Sequence, residues 1–404
     1  MRPEERKEYP PLREHIAVDI AIVGGGITGI LDAYFLSKSG KKVALLESGA
    51  LGSGVTLQTT AFITKVIDTR LSELVKTSGD ELARIISESG QTAIDSIETI
   101  IKDEHIDCEF TRTPAYLYAS TESQAGAIEE EYAEYQRLGL SAERLLPAAL
   151  PFPNFGSLRI PNQAKFDPGK FISELVVRAE KNGARIFERS EVLSVKEGTG
   201  VTIETQSGEV KAKDVIIATY KPIVSDQTRF KKGMYRSYVC EVEAERFLEE
   251  ALYFDLANPY HYFRVDHIGT MDRIIIGGED HRDELQGLDK RSYDALEKYI
   301  NILFGKKKHV LVGCWYGGIL ESSDGIPLIG EIKPHVYVAT AFSGNGMTYA
   351  MISAMLLTNL ISEGGHPWQE AYDPKRSLLS KRTFAKGIDY IEEFFGGAIK
   401  NLLS

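Results

Sequence analysis

The chain has 404 residues, of which 43% are hydrophobic and 26% are charged, and its formal net charge is -11. This length exceeds one small core, so one large domain or two interleaved domains are expected. The acidic balance excludes a typical nucleic-acid-binding protein, which needs a basic surface. No apolar run reaches the roughly 18 residues of a membrane span. The charged start, MRPEERKEYPPLREH, lacks the apolar core of a secretory signal.

The cysteine pattern bears on the redox environment and on metal binding. Cys108, Cys240 and Cys314 are odd in number, far apart and free of C-x-x-C spacing. This pattern is typical of a reduced, cytoplasmic protein. It excludes a cysteine-based metal or iron–sulfur site, and no metal site is predicted.

Residues 19–47 have the pattern of a strand, a helix and a second strand. The apolar, β-branched run at 20–23 predicts a buried parallel strand. Residues 27–39 predict a helix with one apolar face, and residues 42–46 predict a second strand that ends on Glu47. Together with the glycines between strand and helix, this order predicts a dinucleotide-binding unit.

The glycines between the first strand and the helix have the spacing G-x-G-x-x-G. Gly24 allows a tight turn, Gly26 lets the backbone approach a pyrophosphate, and Gly29 lets the helix pack close to the strand. The helix N-terminus offers unpaired N–H groups to the phosphates. Glu47 lies about 20 residues further on, where an acidic side chain accepts hydrogen bonds from an adenosine ribose. The alternative is a glycine-rich turn without a ligand.

Residues 48–64 form a loop with three closely spaced glycines and several hydroxyl groups. Such a loop suits the wrapping of an extended phosphate–ribityl chain. The alternative is a Ser/Thr-rich surface loop. Its place directly after the predicted ribose acid favours the binding interpretation. The threonines concerned are Thr56, Thr59, Thr60 and Thr64.

Further along, apolar periodicity predicts helices and β-branched runs predict strands. Residues 69–103 predict one long helix or two, with Gly79 and Gly90 as break points. An Asp cap followed by proline starts another helix at 166–182. Further predicted helices lie at 121–138, 288–304 and 347–361. Strands are predicted at 108–120, 184–187, 191–196, 201–205, 210–212, 214–219, 235–245, 252–256, 260–265, 273–277 and 336–341.

These elements alternate between a dinucleotide domain and a strand-rich second domain. The predicted order is a polar N-terminal arm at 1–16, dinucleotide-domain segments at 17–104, 166–232 and 322–365, substrate-domain segments at 105–165 and 233–321, and a helical C-terminal tail at 366–404.

Over about residues 17–365 the sequence resembles the FAD-dependent oxidoreductases of the D-amino-acid oxidase type, which include glycine oxidase and sarcosine oxidase. Four motifs carry the resemblance: GGGITG with Glu47; GSGVTLQTTA; the Glu191-Val192 strand followed by VIIAT; and SSDGIPLIG followed by VYVATAFSGNGMT. The resemblance implies an α/β fold, with a GR2-type FAD-binding Rossmann-like domain and an interleaved α+β mixed-sheet substrate domain.

Within this group, TTA-x-x-T and GGEDH are most similar to bacterial flavoproteins whose C-terminus bears a Rieske domain. Since the chain has no C-x-H or C-x-x-H, that domain is expected to be absent. The electron acceptor is then expected to be oxygen or a separate partner.

The resemblance also implies non-covalent FAD and a set of contacts with it. These are the turn glycines Gly24, Gly26 and Gly29; Ile27 and Thr28 at the pyrophosphate; Glu47 and Ser48 at the ribose; Val55, Thr56, Thr60, Ala61 and Phe62 along the ribityl chain and flavin; Val192 at the adenine; Ala218 and Thr219 after the VIIAT strand; and Gly344, Asn345, Gly346, Met347 and Thr348 at the flavin pyrimidine edge.

Two departures from the family concern the substrate. In glycine-oxidase-like sequences two arginines hold the substrate carboxylate, and here those positions are Ile319 and Gly344. Bidentate arginine is the natural group for that task, so the usual carboxylate clamp is lost. Arg264 is a candidate replacement, with a sheet-edge salt bridge as the alternative.

For three further residues, both a functional and a purely structural role are considered. His281 in GGEDH is a candidate acid or base, or a loop residue that makes hydrogen bonds. Tyr262 is a candidate pocket wall, or ordinary packing. Cys314 invites comparison with the covalent flavin cysteine of sarcosine oxidase, but its spacing from Asp324 differs. A buried, neutral Cys314 is therefore expected.

The predicted chemistry is transfer of a hydride equivalent from a small amine, amino acid or hydroxy acid to flavin N5. One alternative is a flavoprotein subunit that passes electrons to a separate partner. The other is a non-catalytic FAD-binding protein. The sequence leaves open the substrate's identity and charge, the electron acceptor and the oligomeric state.

Overall fold

The structure, a computed structural model, describes residues 7–221, 223, 233–283 and 289–376. Its helices are α1 (Ile27–Lys38), α2 (Leu71–Ser78), α3 (Asp80–Asp103), α4 (Ala125–Arg137), α5 (Pro168–Lys181), α6 (Asp289–Phe304), α7 (Gly346–Glu363) and α8 (Gln369–Tyr372). Its strands are β1 (His15–Val23), β2 (Val43–Leu46), β3 (Phe62–Ile63), β4 (Thr111–Tyr118), β5 (Glu143–Leu145), β6 (Ser157–Lys165), β7 (Arg185–Phe187), β8 (Val192–Glu197), β9 (Val201–Thr205), β10 (Glu209–Ile217), β11 (Gly233–Glu245), β12 (Leu252–Asp255), β13 (His261–Ile268), β14 (Met271–Arg282), β15 (His309–Glu321), β16 (Leu328–Lys333) and β17 (Val336–Thr340).

The first sheet is built around β1. Its strand order is β16-β17-β10-β1-β2-β7, and β9 pairs with β10 and β8. Strand β1 is parallel to both neighbours, with Ile20 opposite Val43 and Val23 opposite Ile217. Helices α1 and α7 are buried along almost their whole length, because they pack against each other and against this sheet. The strand–helix–strand prediction for residues 19–47 is confirmed.

The second sheet carries the opposite wall of the molecule's central cavity. Its strand order is β15-β11-β14-β13-β12-β4-β6-β3, and β5 pairs with β6. Most of its pairs are antiparallel, while β12 and β4 are parallel. Helix α6 packs on β11 and β14, and stacked aromatic rings such as Tyr253 and Phe263 (4.4 Å between centroids) fill the core beneath. Two mixed sheets with packed helices confirm the α/β fold class expected from the sequence.

Four strands of the second sheet, β3, β5, β6 and β15, were not among the predicted strands. Strand β6 contains a proline, which a regular strand disfavours, and Pro161 is accommodated at a register shift opposite β4. Helices α2 and α3 are separated at Gly79, as one alternative held, but Gly90 does not break α3. A Cβ at Gly90 would come 2.8 Å from the Cβ of Lys65, so this glycine serves close packing.

The cysteine expectation is corrected by the structure. Cys240 and Cys314 form a disulfide, and Cys108 alone is free and buried. Antiparallel pairing of β11 with β15 places the two cysteines opposite each other, although 74 residues separate them in sequence. Cys314 is exposed rather than buried. The cytoplasmic location, which rested on the cysteine spacing, stays a prediction.

Parts of the predicted organisation lie outside the described residues. These parts are residues 1–6 of the N-terminal arm, most of the connection before β11, residues 284–288 and residues 377–404 of the C-terminal tail. The domain boundaries stay predictions. Within the described ranges, no helix combines the length and the apolar character that crossing a membrane requires.

A pair of Gly→Ala variants tests the packing at the first turn. A Cβ at Gly29 would lie 2.0 Å from the carbonyl oxygen of Gly24, which is backbone and cannot move aside. We expect Gly29→Ala to lower the free energy of unfolding by about 1–3 kcal/mol or more. Gly126, in α4, has no atom within 4 Å of its Cβ position. We expect Gly126→Ala to raise the free energy by about 0.4–1 kcal/mol. Urea unfolding measures both changes, and equal stability of the two variants would contradict the assignment.

Candidate functional site

A cavity of about 440 Å³ lies between the two sheets and is lined from both. One side is formed by the turn after β1, the loop at 47–60 and the turn that begins α7. The other side is formed by residues of β11, β13 and β15. A cavity of this kind, at the carboxyl ends of the parallel strands, is the usual place for a dinucleotide in an open α/β sheet.

The glycine turn brings backbone atoms unusually close together. Gly24 has φ +115°, and a Cβ there would lie 2.6 Å from the carbonyl oxygen of Ala218 at the end of β10. Only glycine adopts this conformation in this space without strain. The turn therefore leaves the backbone of Gly25 and Gly26 facing the cavity at the start of α1.

The carboxylate of Glu47 is fixed by the same turn. Oε2 accepts a hydrogen bond from the N–H of Gly25 (2.7 Å), and Oε1 accepts one from the N–H of Gly49 (2.7 Å) and one from the Ser48 hydroxyl (3.0 Å). Backbone donors thus hold a negative charge at the end of β2, on the cavity wall. This is the position at which the sequence predicts the ribose-binding acid.

Hydroxyl groups tie the loop after β2 to two helix N-termini. The Thr56 hydroxyl accepts from the N–H of Ile27 at the first turn of α1 (3.1 Å). The Thr348 hydroxyl, in α7, accepts from the N–H of Thr64 (3.0 Å) and donates to the carbonyl of Thr64 (2.9 Å). The loop therefore follows both helix ends, whose first residues line the cavity.

Asn345 marks the start of α7 with an unsatisfied group. Its side-chain N–H donates to the carbonyl of Val66 (3.0 Å), whereas its buried Oδ1 has no hydrogen-bond partner among the described residues. Asn345 is only 4% exposed and lines the cavity. A buried acceptor without a partner costs free energy unless a ligand supplies a donor. The ring imide N–H of a flavin is such a donor, so the residues present fit FAD.

Most of the residues predicted to contact FAD line this one cavity. Four do not: Gly29 packs against Gly24 behind the turn, Thr348 holds the loop, Ala61 is buried next to Thr60, and Val192 lies on β8. Those that line it are Gly24, Gly26, Ile27, Thr28, Glu47, Ser48, Val55, Thr56, Thr60, Phe62, Ala218, Thr219, Gly344, Asn345, Gly346 and Met347.

Arg264 does not line the cavity. Its guanidinium is 5% exposed and donates to the carbonyls of Thr60 (2.9 Å) and Phe166 (3.0 Å) and to the Asp266 carboxylate (3.0 Å). Burial would raise the pKa of Asp266, but the charges of Arg264 and Lys165 outweigh it and lower the pKa to about 2. Arg264 is therefore fully engaged inside the protein, as in the salt-bridge alternative.

His281 also lies away from the cavity lining. Its Nε2 is 2.8 Å from the Tyr238 hydroxyl, and its Nδ1 is 2.9 Å from the carbonyl of Arg282. These contacts agree with the alternative in which His281 is a hydrogen-bonding residue at the end of β14.

Tyr262 does line the cavity, and the sheet makes room for it. Its ring crosses over Gly277 of β14, where a Cβ would lie 2.3 Å from the ring. The hydroxyl is 2.8 Å from the Ser237 hydroxyl, and the ring packs edge-on against Phe62 (5.9 Å between centroids). Burial raises the pKa of the Tyr262 hydroxyl, so it stays protonated at neutral pH.

Sequence reasoning missed three polar residues at this end of the cavity. Asp68 lines the cavity and accepts a hydrogen bond from the N–H of Gly344 (2.8 Å). A side chain at Gly344 would meet it, since a Cβ there would lie 3.0 Å from Oδ1 of Asp68. Tyr220 and Tyr260 also line the cavity. Tyr260 was detectable, because it alternates with Tyr262 along one strand.

Asp280, within the GGEDH motif, is a fourth missed residue and lies close behind Tyr262. Burial, as the largest cause, raises the pKa of Asp280 to about 7. The negative charges of Asp68 and Glu321 also raise this pKa, whereas a hydrogen bond from Ser237 lowers it. One of its carboxyl oxygens is buried without a partner among the described residues. No sequence signal distinguished it from an exposed loop acid.

Comparison with known proteins gives three kinds of match. The family model described as "FAD dependent oxidoreductase" matches residues 19–360. A putative Rieske 2Fe-2S iron–sulfur protein of Bacillus subtilis is 29% identical over 378 residues, which cover 92% of this chain and 74% of that protein. Gamma-glutamylputrescine oxidoreductase of Escherichia coli is 25% identical over 375 residues, which cover 87% of this chain and 85% of that protein.

The fold is also similar to solved structures. The crystal structure of glycine oxidase from Geobacillus kaustophilus superposes with a TM-score of 0.75 at 19% identity, and the match covers 89% of this chain and 99% of that one. At this identity the similarity concerns the fold. It agrees with two mixed sheets that enclose a cavity.

Glu47→Gln tests the acid at the end of β2. The amide cannot accept from both Gly25 and Gly49, since one of its two heavy atoms is a donor. Hydrogen bonds to a charged group contribute about 1.5–3 kcal/mol, so we expect FAD to bind at least tenfold more weakly. Fluorescence titration of the apoprotein with FAD measures this. Glu245→Gln, on an exposed part of β11, should leave the affinity unchanged.

Asp280→Asn tests the buried acid through the pH dependence of stability. The folded protein keeps a proton on Asp280 up to about pH 7, whereas the unfolded chain releases it near 3.8. The free energy of unfolding therefore falls as the pH rises through this window, because only the folded state still holds a proton that it must give up. We expect this decrease between about pH 5 and about pH 8 to be much smaller in the variant than in the natural protein. Urea unfolding at both pH values measures it, with the exposed Asp294→Asn as the control.

Proposed function

The chain belongs to the family of FAD-dependent oxidoreductases, whose model matches residues 19–360, and on that premise we propose that it oxidises an amine. When bound, FAD supplies a flavin N5 that accepts a hydride equivalent from the carbon next to the amine nitrogen. The protein's part is to bind, orient and enclose the two reactants.

The charge of the residues that line the cavity is the observation that favours an amine as the substrate. The described residues that line it include the carboxylates of Glu47 and Asp68 but no lysine or arginine. A carboxylate next to the reacting carbon would be buried here without a counter-charge, which is costly. A protonated amine would have Asp68 as its partner. An α-amino acid or a hydroxy acid is therefore a poorer fit than an amine.

The walls at the Asp68 end are suited to hold such a substrate. Phe62, Tyr260 and Tyr262 present aromatic faces, which bind alkyl groups and exclude water. Ile319, at the position of one family arginine, adds a further apolar surface. Because the neutral form of an amine is the better hydride donor, the ammonium gives up a proton before oxidation, and the Asp68 carboxylate is the lining group assigned to accept it.

The start of α7 supports the electron-accepting end of the site. The N–H groups of the first turn of α7 face the cavity next to Asn345, and a helix N-terminus carries a partial positive charge. Such a group stabilises negative charge that develops beside it. This role needs no ionisable side chain, in agreement with the engagement of Arg264 and His281 elsewhere.

The relatives agree with an amine or amino-acid donor. By its name, gamma-glutamylputrescine oxidoreductase acts on an amine, and glycine oxidase acts on an amino acid. The Bacillus subtilis relative is named for an iron–sulfur centre. That name favours a second candidate, in which reduced FAD passes its electrons to a separate iron–sulfur partner rather than to oxygen.

The visible spectrum tests this proposal first. We expect the purified protein to show flavin bands that acid precipitation releases into the supernatant, because Cys314 is bonded to Cys240 and does not line the cavity. Anaerobic mixing with primary and secondary alkylamines should bleach the bands. Deuterium on the carbon next to nitrogen should slow the bleaching. Bleaching by α-amino acids or hydroxy acids alone would contradict the choice of an amine.

Reoxidation separates the two acceptors. Flavin bands that return rapidly on admission of air identify an oxidase. Bands that return only with an added iron–sulfur protein or an artificial acceptor identify an electron-transferring dehydrogenase.

A further inference from the structure

A second cavity, of about 210 Å³, adjoins the first one. Asp68, Phe254 and Tyr260 line both cavities, so the second begins at the carboxylate to which the amine is assigned. Its other walls come from the start of α2, from α3 and from α4. The site therefore has a compartment beyond the position of the amine.

The second cavity differs from the first in carrying cationic side chains. Arg70 and Lys65 both line it. Nη1 of Arg70 is buried and has no hydrogen-bond partner among the described residues. Burial lowers the pKa of Lys65. A buried guanidinium nitrogen without an acceptor is costly, and a carboxylate is its natural partner.

Among the described residues, three acidic ones line this cavity: Asp68, which is shared with the first cavity and accepts from the N–H of Gly344, and Glu131 and Asp255, which are engaged elsewhere. Glu131 accepts the N–H groups of Leu71 (2.8 Å) and Ser72 (3.0 Å) at the start of α2. Asp255 accepts the backbone N–H of His261 (2.8 Å) and lies 2.9 Å from its ring Nδ1. Neither carboxylate supplies the acceptor that Nη1 of Arg70 lacks.

Much of the remaining lining is apolar, and Leu71, Leu74 and Ile86 are part of it. Such a surface fits a hydrocarbon chain and disfavours a polar linker. The two adjoining cavities together thus offer a carboxylate, an apolar surface and a guanidinium.

We propose that the substrate is an extended ω-amino acid, with its amine at Asp68 in the first cavity and its carboxylate at Arg70 in the second. This inference rests on the proposed amine oxidation. It explains how a family member without an arginine in the first cavity still binds an anionic group. The carboxylate lies several bonds from the reacting carbon rather than next to it.

The test compares two probes that differ only in the carboxylate, namely 5-aminopentanoate and pentylamine. Binding to the FAD-loaded protein is measured by perturbation of the flavin spectrum and, independently, by the shift in Tm. We expect 5-aminopentanoate to bind about tenfold more tightly, the usual size for a hydrogen-bonded ionic contact. Glycine, whose carboxylate lies next to the reacting carbon, should bind more weakly than either.

Variants test which residues cause the preference for 5-aminopentanoate over pentylamine. Arg70→Gln should abolish the difference between the probes and leave the affinity for pentylamine unchanged, whereas Arg70→Lys should keep part of it. Asp68→Asn should weaken both probes. Arg144→Gln, which removes the same charge from an exposed ion pair with Glu129, should change neither. Circular dichroism confirms that each variant is folded.

The outcomes separate this inference from the proposed function. Equal binding of the two probes, no binding of either, or a preference that survives in Arg70→Gln overturns the inference, even if other amines reduce the flavin. A preference that depends on Arg70, without flavin reduction by any amine, supports the binding mode and overturns the proposed oxidation.

Discussion

The buried charge of Arg264 holds together the wall on which the cavity depends. An unpaired charge inside a protein costs several kcal/mol. Each hydrogen-bond acceptor around this guanidinium is therefore held in place, because its loss would leave the charge uncompensated. Its donors reach Thr60 in the cofactor loop, Phe166 just before α5 and Asp266 on its own strand. One side chain thus links the loop, the segment before α5 and the second sheet. The same engagement removes Arg264 from contact with the substrate.

The sign of the charge in the first cavity follows from that arrangement. Arg264, an obvious cation of the second sheet, is neutralised behind the wall, and the family's arginine positions hold Ile319 and Gly344. The space beside Gly344 is filled by the Asp68 carboxylate. Relative to the arginine that the resemblance implies at this position, the change that we propose is a reversal of charge and not merely the loss of a contact. A reversed charge selects against the ligand for which the original site was suited.

Local rules predicted the parts of the chain whose structure is set by near neighbours. The glycine turn, the acid at Glu47 and the capped start of α5, where Asp167 accepts from the N–H of Lys170 (3.0 Å), follow from adjacent residues. The pairing of Cys240 with Cys314 depends on a strand register across a long sequence interval, so spacing alone gave the wrong answer.

The residues of the candidate site also fall into two groups, those that neighbouring sequence specifies and those that only the folded structure brings to the site. Most residues that the cofactor motifs predict line the cavity, because the spacing of glycines in such motifs specifies the local backbone geometry. Asp68 lines the cavity from a connection between β3 and α2, and Asp280 lies on β14 behind the lining; no local pattern marks either of them. Asp280 has its raised pKa only because folding removes it from water. Arg264 was considered for the substrate because its buried partners are invisible in the sequence.

The order in which the chain visits the two sheets has a consequence for synthesis on the ribosome. Strand β1 pairs with β10, whose residues begin at Glu209, and β10 in turn pairs with β17, which begins at Val336. The N-terminal strand, helix and glycine turn therefore emerge long before their neighbours exist. Strand pairings between residues that are distant in sequence form slowly, because the entropy cost of closing a long loop comes before any stabilising contact. Until β17 leaves the exit tunnel, the end of β10 that pairs with it keeps an unpaired edge, and unpaired strand edges expose a nascent chain to aggregation.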